Sequence, residues 1–194
     1  MYCKDCVQPI TYPGGTTVSF GDFGLRIYEK GSDMTFGDYE VGDLFHIEKT
    51  DVYKKIAVKG FKSVEFVLLR SNKEEIWFVE ARKTMPAKSN VERLDEDISE
   101  ISQKFVDSFM LTCGMWFGQH FSNTELNENC DNFFKYGNKV IFALIVKNRK
   151  GKLTALAEYI KQKFPKNVRA LWGFDVVVLN EEMAVSEKII VAES

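Results

Sequence analysis

Val64-Glu65-Phe66-Val67-Leu68-Leu69 and Ile76-Trp77-Phe78-Val79-Glu80-Ala81-Arg82-Lys83, separated by the polar run Ser71-Asn72-Lys73-Glu74, decide how this chain folds. Two apolar runs around a polar turn predict a β-hairpin, with strands over Ser63–Leu69 and Glu75–Lys83. Side chains alternate along a strand. A symmetric turn centred between Asn72 and Lys73 therefore sets residues whose numbers sum to 145 opposite each other. One face pairs Leu69–Ile76, Val67–Phe78, Glu65–Glu80 and Ser63–Arg82; the other pairs Leu68–Trp77, Phe66–Val79 and Val64–Ala81. All but two pairs are apolar on apolar, and a slip of one residue would turn every side chain to the wrong face.

Both faces being apolar, the strands are expected to be central and covered. The pair Glu65–Glu80 then stands out, because opposed like charges on a sheet destabilise it and a buried carboxylate needs a partner. A divalent cation, Arg82, a lysine from elsewhere or a shifted pKa would supply the compensation. Three readings remain open at this point. Glu65 and Glu80 hold Mg²⁺, which favours carboxylate and water oxygens; or Glu80 pairs with Arg82 while Glu65 sits at a wet sheet end; or the register is different.

Outward from the hairpin, the rest of the chain reads as one α/β domain. Its 194 residues suit a single core, and 16 Phe, 7 Tyr and 3 Trp make that core bulky. Residues 1–43 are rich in Gly, Thr and aromatics and predict a β-rich N-terminal layer, with strands near Thr17–Phe20 and Leu25–Glu29. Residues 44–147 carry the motif-bearing core. There, Leu44–Ile47 reads as a short strand and Thr50 as the N-cap of a helix over Asp51–Ala57. Val91, Leu94, Ile98, Ile101, Phe105, Phe109, Cys113 and Trp116 form one helical stripe. The predicted long helix runs from Val91 to about Phe121, with Ser89 and Glu92 as a capping box. Residues 122–136 read as a loop, and the apolar run Lys139–Val146 as a strand buried on both faces. Residues 148–194 form a C-terminal αβ extension: a helix over Leu153–Phe164, a strand over Phe174–Leu179, a turn of helix near Glu181–Val185 and a last strand at Ile189–Val191. Strand, helix, strand favours parallel pairing.

Net charge is −2, from 26 basic and 28 acidic residues, so only a local basic patch would attract nucleic acid. No apolar run approaches the roughly 20 residues of a membrane span. Met1–Cys6 carries no secretory pattern, and the expectation is a cytoplasmic protein with reduced cysteines and no membrane partner. Cys3 and Cys6 form a C-x-x-C, but Cys113 and Cys130 stand alone, so two free thiols are expected there rather than zinc. His46 and His120 have no catalytic spacing to a serine or cysteine, and no phosphate loop of the G-x-x-x-x-G-K-[ST] type is present. Lys147, Arg149, Lys150, Lys152, Lys161, Lys163, Lys166 and Arg169 read as a solvated face, with a phosphate-tracking edge as the alternative.

An acid-bearing strand, a second strand with Glu80-Ala81-Arg82, a long helix and a further strand resemble the core of the PD-(D/E)XK nuclease-like superfamily. The chain is also similar to an uncharacterised bacterial protein family close to it. That likeness lies in Leu44-Phe45-His46-Ile47-Glu48-Lys49, the hairpin, Glu100-Ile101-Ser102-Gln103-Lys104-Phe105 and Val178-Leu179-Asn180-Glu181-Glu182-Met183-Ala184. The resemblance implies a restriction-endonuclease-like core, a mixed central sheet flanked by helices, that cuts phosphodiesters with Mg²⁺. It implies Glu65, Glu80 and the Ala81 carbonyl as metal ligands, and a lysine two residues after Glu80. The sequence departs there: the position holds Arg82, which contacts phosphate but stays protonated and cannot act as a base. Lys83 points to the other face. Lys104, on the long helix, is the candidate expected to handle the proton of the attacking water, with a solvated place beside Phe105 as the alternative. Glu48 is expected to pair with Lys49 or solvent, with a carboxylate added to the site as the alternative. Two functions stay open. One is Mg²⁺-dependent phosphodiester hydrolysis, weak or absent because of Arg82. The other is an inactive nuclease-fold module that binds nucleic acid or an unknown protein.

Overall fold

The structure is a computed structural model that describes residues 9–12, 15–21, 24–87, 89–118, 139–149 and 153–192. Cys3, Cys6, His120, Cys130, Lys150, Lys152 and the expected loop over 122–136 lie outside the described residues. The chain is α/β and forms two sheets. β1 (Ile10–Thr11), β2 (Thr17–Phe20), β3 (Leu25–Glu29) and β4 (Met34–Tyr39) make an antiparallel four-stranded sheet in sequential order. β5 (Leu44–Phe45), β6 (Phe66–Arg70), β7 (Glu75–Arg82), β8 (Lys139–Val146) and β9 (Phe174–Asn180) make the central sheet, also in sequential order. Its first three strands are antiparallel, and β7, β8 and β9 run parallel. The helices are α1 (Asp51–Ala57), α2 (Val91–Trp116), α3 (Thr154–Lys163), α4 (Lys166–Leu171) and α5 (Glu181–Ser186).

The central sheet is covered on both faces, as its two-sided apolar strands require. One face of the β6–β7 hairpin (Val67, Leu69, Ile76, Phe78) packs with Leu94, Ile98, Ile101, Phe105 and Phe109 of α2 and with α3. Phe105, Phe142 and Phe164 cluster there at tilted angles to Phe142, with Phe105–Phe142 centroids 5.2 Å apart and Phe142–Phe164 5.0 Å apart. The other face (Phe66, Leu68, Trp77, Val79, Ala81) packs on Val18, Leu25, Ile27 and Phe36 of the N-terminal sheet and on Ala184 of α5.

The hairpin register is the expected one from Arg70↔Glu75 to Phe66↔Val79, and there it stops. The Glu65 amide donates to Val79 O at 3.0 Å, the carbonyl of the residue already paired with Phe66. Two residues thus oppose one, the arrangement of a β-bulge, and the alternation changes phase. Val64 packs on the helical side with Val67 rather than on the N-terminal sheet with Phe66. The expected pairs Glu65–Glu80, Val64–Ala81 and Ser63–Arg82 are therefore not part of the ladder, and β6 begins at Phe66 instead of Ser63. The segment before it is held by α2: Lys62 N donates to Asp107 Oδ2 at 3.0 Å and Val64 N to Ser108 Oγ at 2.9 Å.

Other differences have local causes. Thr50 caps α1 as expected, its hydroxyl accepting from Tyr53 N at 3.0 Å. Asn90, not Ser89 with Glu92, caps α2 by accepting from Arg93 N at 3.3 Å; an Asx side chain next to the helix displaces the serine one residue away. α2 closes at Trp116, followed by Gly118 in the left-handed region at φ 66°. Ile189–Val191 forms no strand; Ile190 makes a single bridge to Phe36 that ties the chain end to the N-terminal sheet. α4 is too short for a periodic signature and follows Pro165 directly. No helix among the described residues is long and apolar enough to cross a membrane.

Candidate active site

The parity of β7 turns Glu80 toward α2, in line with Ile76 and Phe78, and α2 meets it with a polar stripe. Glu100, Lys104, Asp107 and Ser108 recur at helical spacing beside the apolar one. Lys104 Nζ donates to Glu80 Oε1 at 2.8 Å. Asp107 and Ser108 hold the backbone of residues 62–64. Glu100 accepts from Arg82 Nη2 at 3.3 Å and lies 3.8 Å from Lys62 Nζ. The helix that packs the core thus also carries the lysine partner of Glu80 and the tethers of the segment before β6.

Glu80 is fully buried. Arg82 Nε stands 3.2 Å from the same Oε1 that Lys104 contacts, out of hydrogen-bonding line. Among the described residues Glu80 Oε2 has no hydrogen-bond partner. Burial pushes the Glu80 pKa up against the pull of Lys104 and Arg82. Burial opposes the charge of Lys104, but Glu80 beside it raises the net pKa, so Lys104 stays an ammonium. This changes the role expected of Lys104: it is a fixed positive charge and a hydrogen-bond donor, not a base at neutral pH.

Glu65 sits in the bend ahead of β6, half-buried. Burial, then the charges of Glu80 and Glu29, push its carboxyl up to about 9, so it holds a proton at neutral pH. His46 is buried, and its ring bonds to the Glu65 backbone. Burial and the Lys49 charge drive its pKa down to about 3, so the ring is a neutral prop for the bend. Glu48 is turned to the same segment: Ser63 Oγ donates to its Oε1 at 2.8 Å. Glu29, buried in β3, accepts from Thr16 Oγ1 at 2.7 Å and adds its field to Glu65.

Ala81 faces the N-terminal sheet with its side chain. The amides of Lys139 and Lys147 bond to the carbonyls of Glu74 and Arg82. Backbone alternation then aims the Ala81 carbonyl to the β6 side, beyond the last pair Phe66↔Val79.

No protein-family model, no curated protein and no solved structure matches this chain.

Glu65, Glu80, Arg82, Lys104 and the Ala81 backbone, all named from the sequence, occupy one end of the β6–β7 hairpin. Lys83 does not join them: it pairs with Asp33 at 3.2 Å on the opposite face. Lys147 also goes to Asp33, and Lys163 pairs with Asp95 at 2.6 Å, so these basic residues are engaged within the fold. Cys113 is buried, its thiol pushed up to about 12 by burial. Sequence reasoning missed Glu100 as a partner of Arg82, and Asp107 and Ser108 as tethers. The i, i+4 spacing of Glu100 and Lys104 was the available signal.

Proposed function

We propose that this domain is a nuclease-like protein of the PD-(D/E)XK kind that hydrolyses phosphodiesters with Mg²⁺, its lysine supplied by α2 in place of the strand. The observation that carries this reading is the 2.8 Å contact of Lys104 with buried Glu80. Arg82 stands where the motif has lysine, and an ammonium nevertheless reaches the same carboxylate from the helix.

The residues fit a hard divalent cation. Glu80 Oε2 is buried without a partner among the described residues, and Glu65, Glu80 and the Ala81 carbonyl offer an all-oxygen donor set. These three would hold Mg²⁺, which when bound supplies Lewis-acid polarisation of a phosphoryl oxygen and a more acidic water. Among the described residues no group of three or more His, Cys, Asp or Glu side chains forms a metal cluster, so the third protein oxygen in this reading is backbone. Glu65 gives up its proton as a cation is accepted. Lys104 stays charged, orients a water by hydrogen bonding and offsets charge developing on the phosphoryl oxygens. Arg82 binds a non-bridging oxygen of the phosphate.

One observation favours a second reading, an inactive module of the same fold. Lys104 and Arg82 already place two positive charges on Glu80 without a metal. The two readings separate on purified wild type, Glu80→Gln and Lys104→Ala, each incubated with single- and double-stranded DNA and RNA in Mg²⁺, Mn²⁺ or EDTA. Cleavage that needs the metal and is lost in both variants supports the enzyme. No metal-dependent cleavage, with no shift of the melting temperature on adding Mg²⁺, contradicts it.

A further inference from the structure

Arg82 and Lys62 share a carboxylate that neither holds tightly. Glu100 Oε1 lies 3.3 Å from Arg82 Nη2 and 3.8 Å from Lys62 Nζ. Charge-assisted bonds in good geometry run to about 2.7–2.9 Å. Glu100 is also the accessible carboxylate here, with 39% of its side chain exposed against 0% for Glu80. Arg82 is anchored from the other side, its Nε 3.2 Å from Glu80 Oε1 and buried without a hydrogen bond. A guanidinium fixed at its stem by a buried carboxylate, and met at its tip by an exposed one, has one exchangeable partner. That partner is Glu100.

We propose that Arg82 and Lys62 form a phosphate-binding site for a nucleic-acid strand, and that Glu100 occupies it as a built-in stand-in for the phosphodiester. The proposal rests on the phosphodiester reading of the site, but it concerns binding alone and needs neither metal nor cleavage. The oxygen of Glu100 presents to Arg82 and Lys62 what a non-bridging phosphate oxygen would present. Its position on α2, one turn before Lys104, lets it withdraw to solvent without disturbing the apolar stripe at Ile98, Ile101 and Phe105. An incoming phosphate exchanges one anion for another, leaving Arg82 and Lys104 on Glu80. Glu100 thereby sets the affinity: it keeps the two cations neutralised when no strand is present, and it competes with a strand that arrives.

The test is fluorescence polarisation of a labelled 20-nucleotide single-stranded DNA in EDTA, on wild type, Glu100→Gln, Glu96→Gln, Arg82→Ala and the double variant Glu100→Gln/Arg82→Ala. Glu96 is exposed one turn earlier on α2 and removes the same charge. Glu100→Gln is expected to tighten binding at least fivefold and Glu96→Gln less than twofold, with the gain abolished in the double variant. Inorganic phosphate at constant ionic strength is expected to compete more strongly than chloride. Equal affinity of Glu100→Gln and wild type, or an equal gain in Glu96→Gln, would overturn the proposal. Binding of inorganic phosphate without any binding of the oligonucleotide would overturn the strand as the occupant. The tightening in Glu100→Gln, seen in a protein that never cleaves, supports this inference while it counts against the enzyme reading.

Discussion

Glu65→Gln tests the electrostatics of the site through stability alone. Glu65 has its carboxyl raised from the ordinary 4.5 to about 9 in the folded chain, by burial and by the charges of Glu80 and Glu29. Between those two values the folded state holds a proton that the unfolded state has released. Stability must then fall as pH rises through that window, by about 1.4 kcal/mol per pH unit for one proton. The slope depends on the proton count, not on the exact pKa. From pH 6 to pH 8 wild type is expected to lose about 2.7 kcal/mol relative to Glu65→Gln, which keeps a neutral side chain of the same shape and does not titrate. Below about pH 4 the two should differ little, since Glu65 is protonated in both states there. The assay is urea unfolding of both proteins at pH 5, 6, 7 and 8 in EDTA. Gln at this place should make the protein more stable than wild type at pH 8, the opposite of what most substitutions of half-buried residues do. Parallel pH curves for the two proteins would refute the reasoning and place Glu65 in water as an ordinary carboxylate.

Phe105→Ala should cost about 3–5 kcal/mol, because the ring is fully buried against Phe142 and Phe164; a loss under about 1 kcal/mol by urea unfolding would contradict the packing of α2. Ser108→Ala removes the acceptor of the buried Val64 amide and should cost about 1–3 kcal/mol; unchanged stability would mean that the segment before β6 is not tethered to α2. Lys104→Ala leaves Glu80 with Arg82 alone and should destabilise by about 3 kcal/mol at pH 8, and by less as the pH is lowered, because burial favours the protonated Glu80; losses that do not change with pH would deny the ion pair. Arg82→Lys should raise any metal-dependent cleavage, the smaller ammonium leaving room for a bound water; lower cleavage would make the guanidinium itself the working group.

The hairpin was legible because its register is written in matched apolar pairs, Leu68 with Trp77 and Val67 with Phe78, each of which a slip would expose. Where the ladder ends was not legible. The bulge at Glu65 forms because Asp107 and Ser108, more than forty residues away on α2, take the amides of Lys62 and Val64 out of the sheet. Nothing local to residues 62–65 signals such a capture. The apolar stripe of α2 told which face meets the sheet, and Lys104, next to Phe105, could be named from it as a candidate. Whether it reached Glu80 depended on the rotation of the helix about its axis, which the long-range packing of Phe105 on Phe142 sets. Thr50 was readable as a cap because the hydroxyl directly precedes its helix. α4 was not, as six residues after a proline give periodicity too few positions to show.

The most direct test of the site as a metal-dependent one is calorimetric titration of Mn²⁺ and Mg²⁺ into wild type and Glu80→Gln at pH 6 and pH 8. Glu65 must lose its proton for the cation to bind, so the account predicts wild-type binding that tightens toward pH 8, up to about tenfold per pH unit for one released proton. It also predicts proton release detectable by comparing buffers of different ionisation enthalpy, and no binding to Glu80→Gln. Equal weak binding by both proteins, with no dependence on pH, would contradict it.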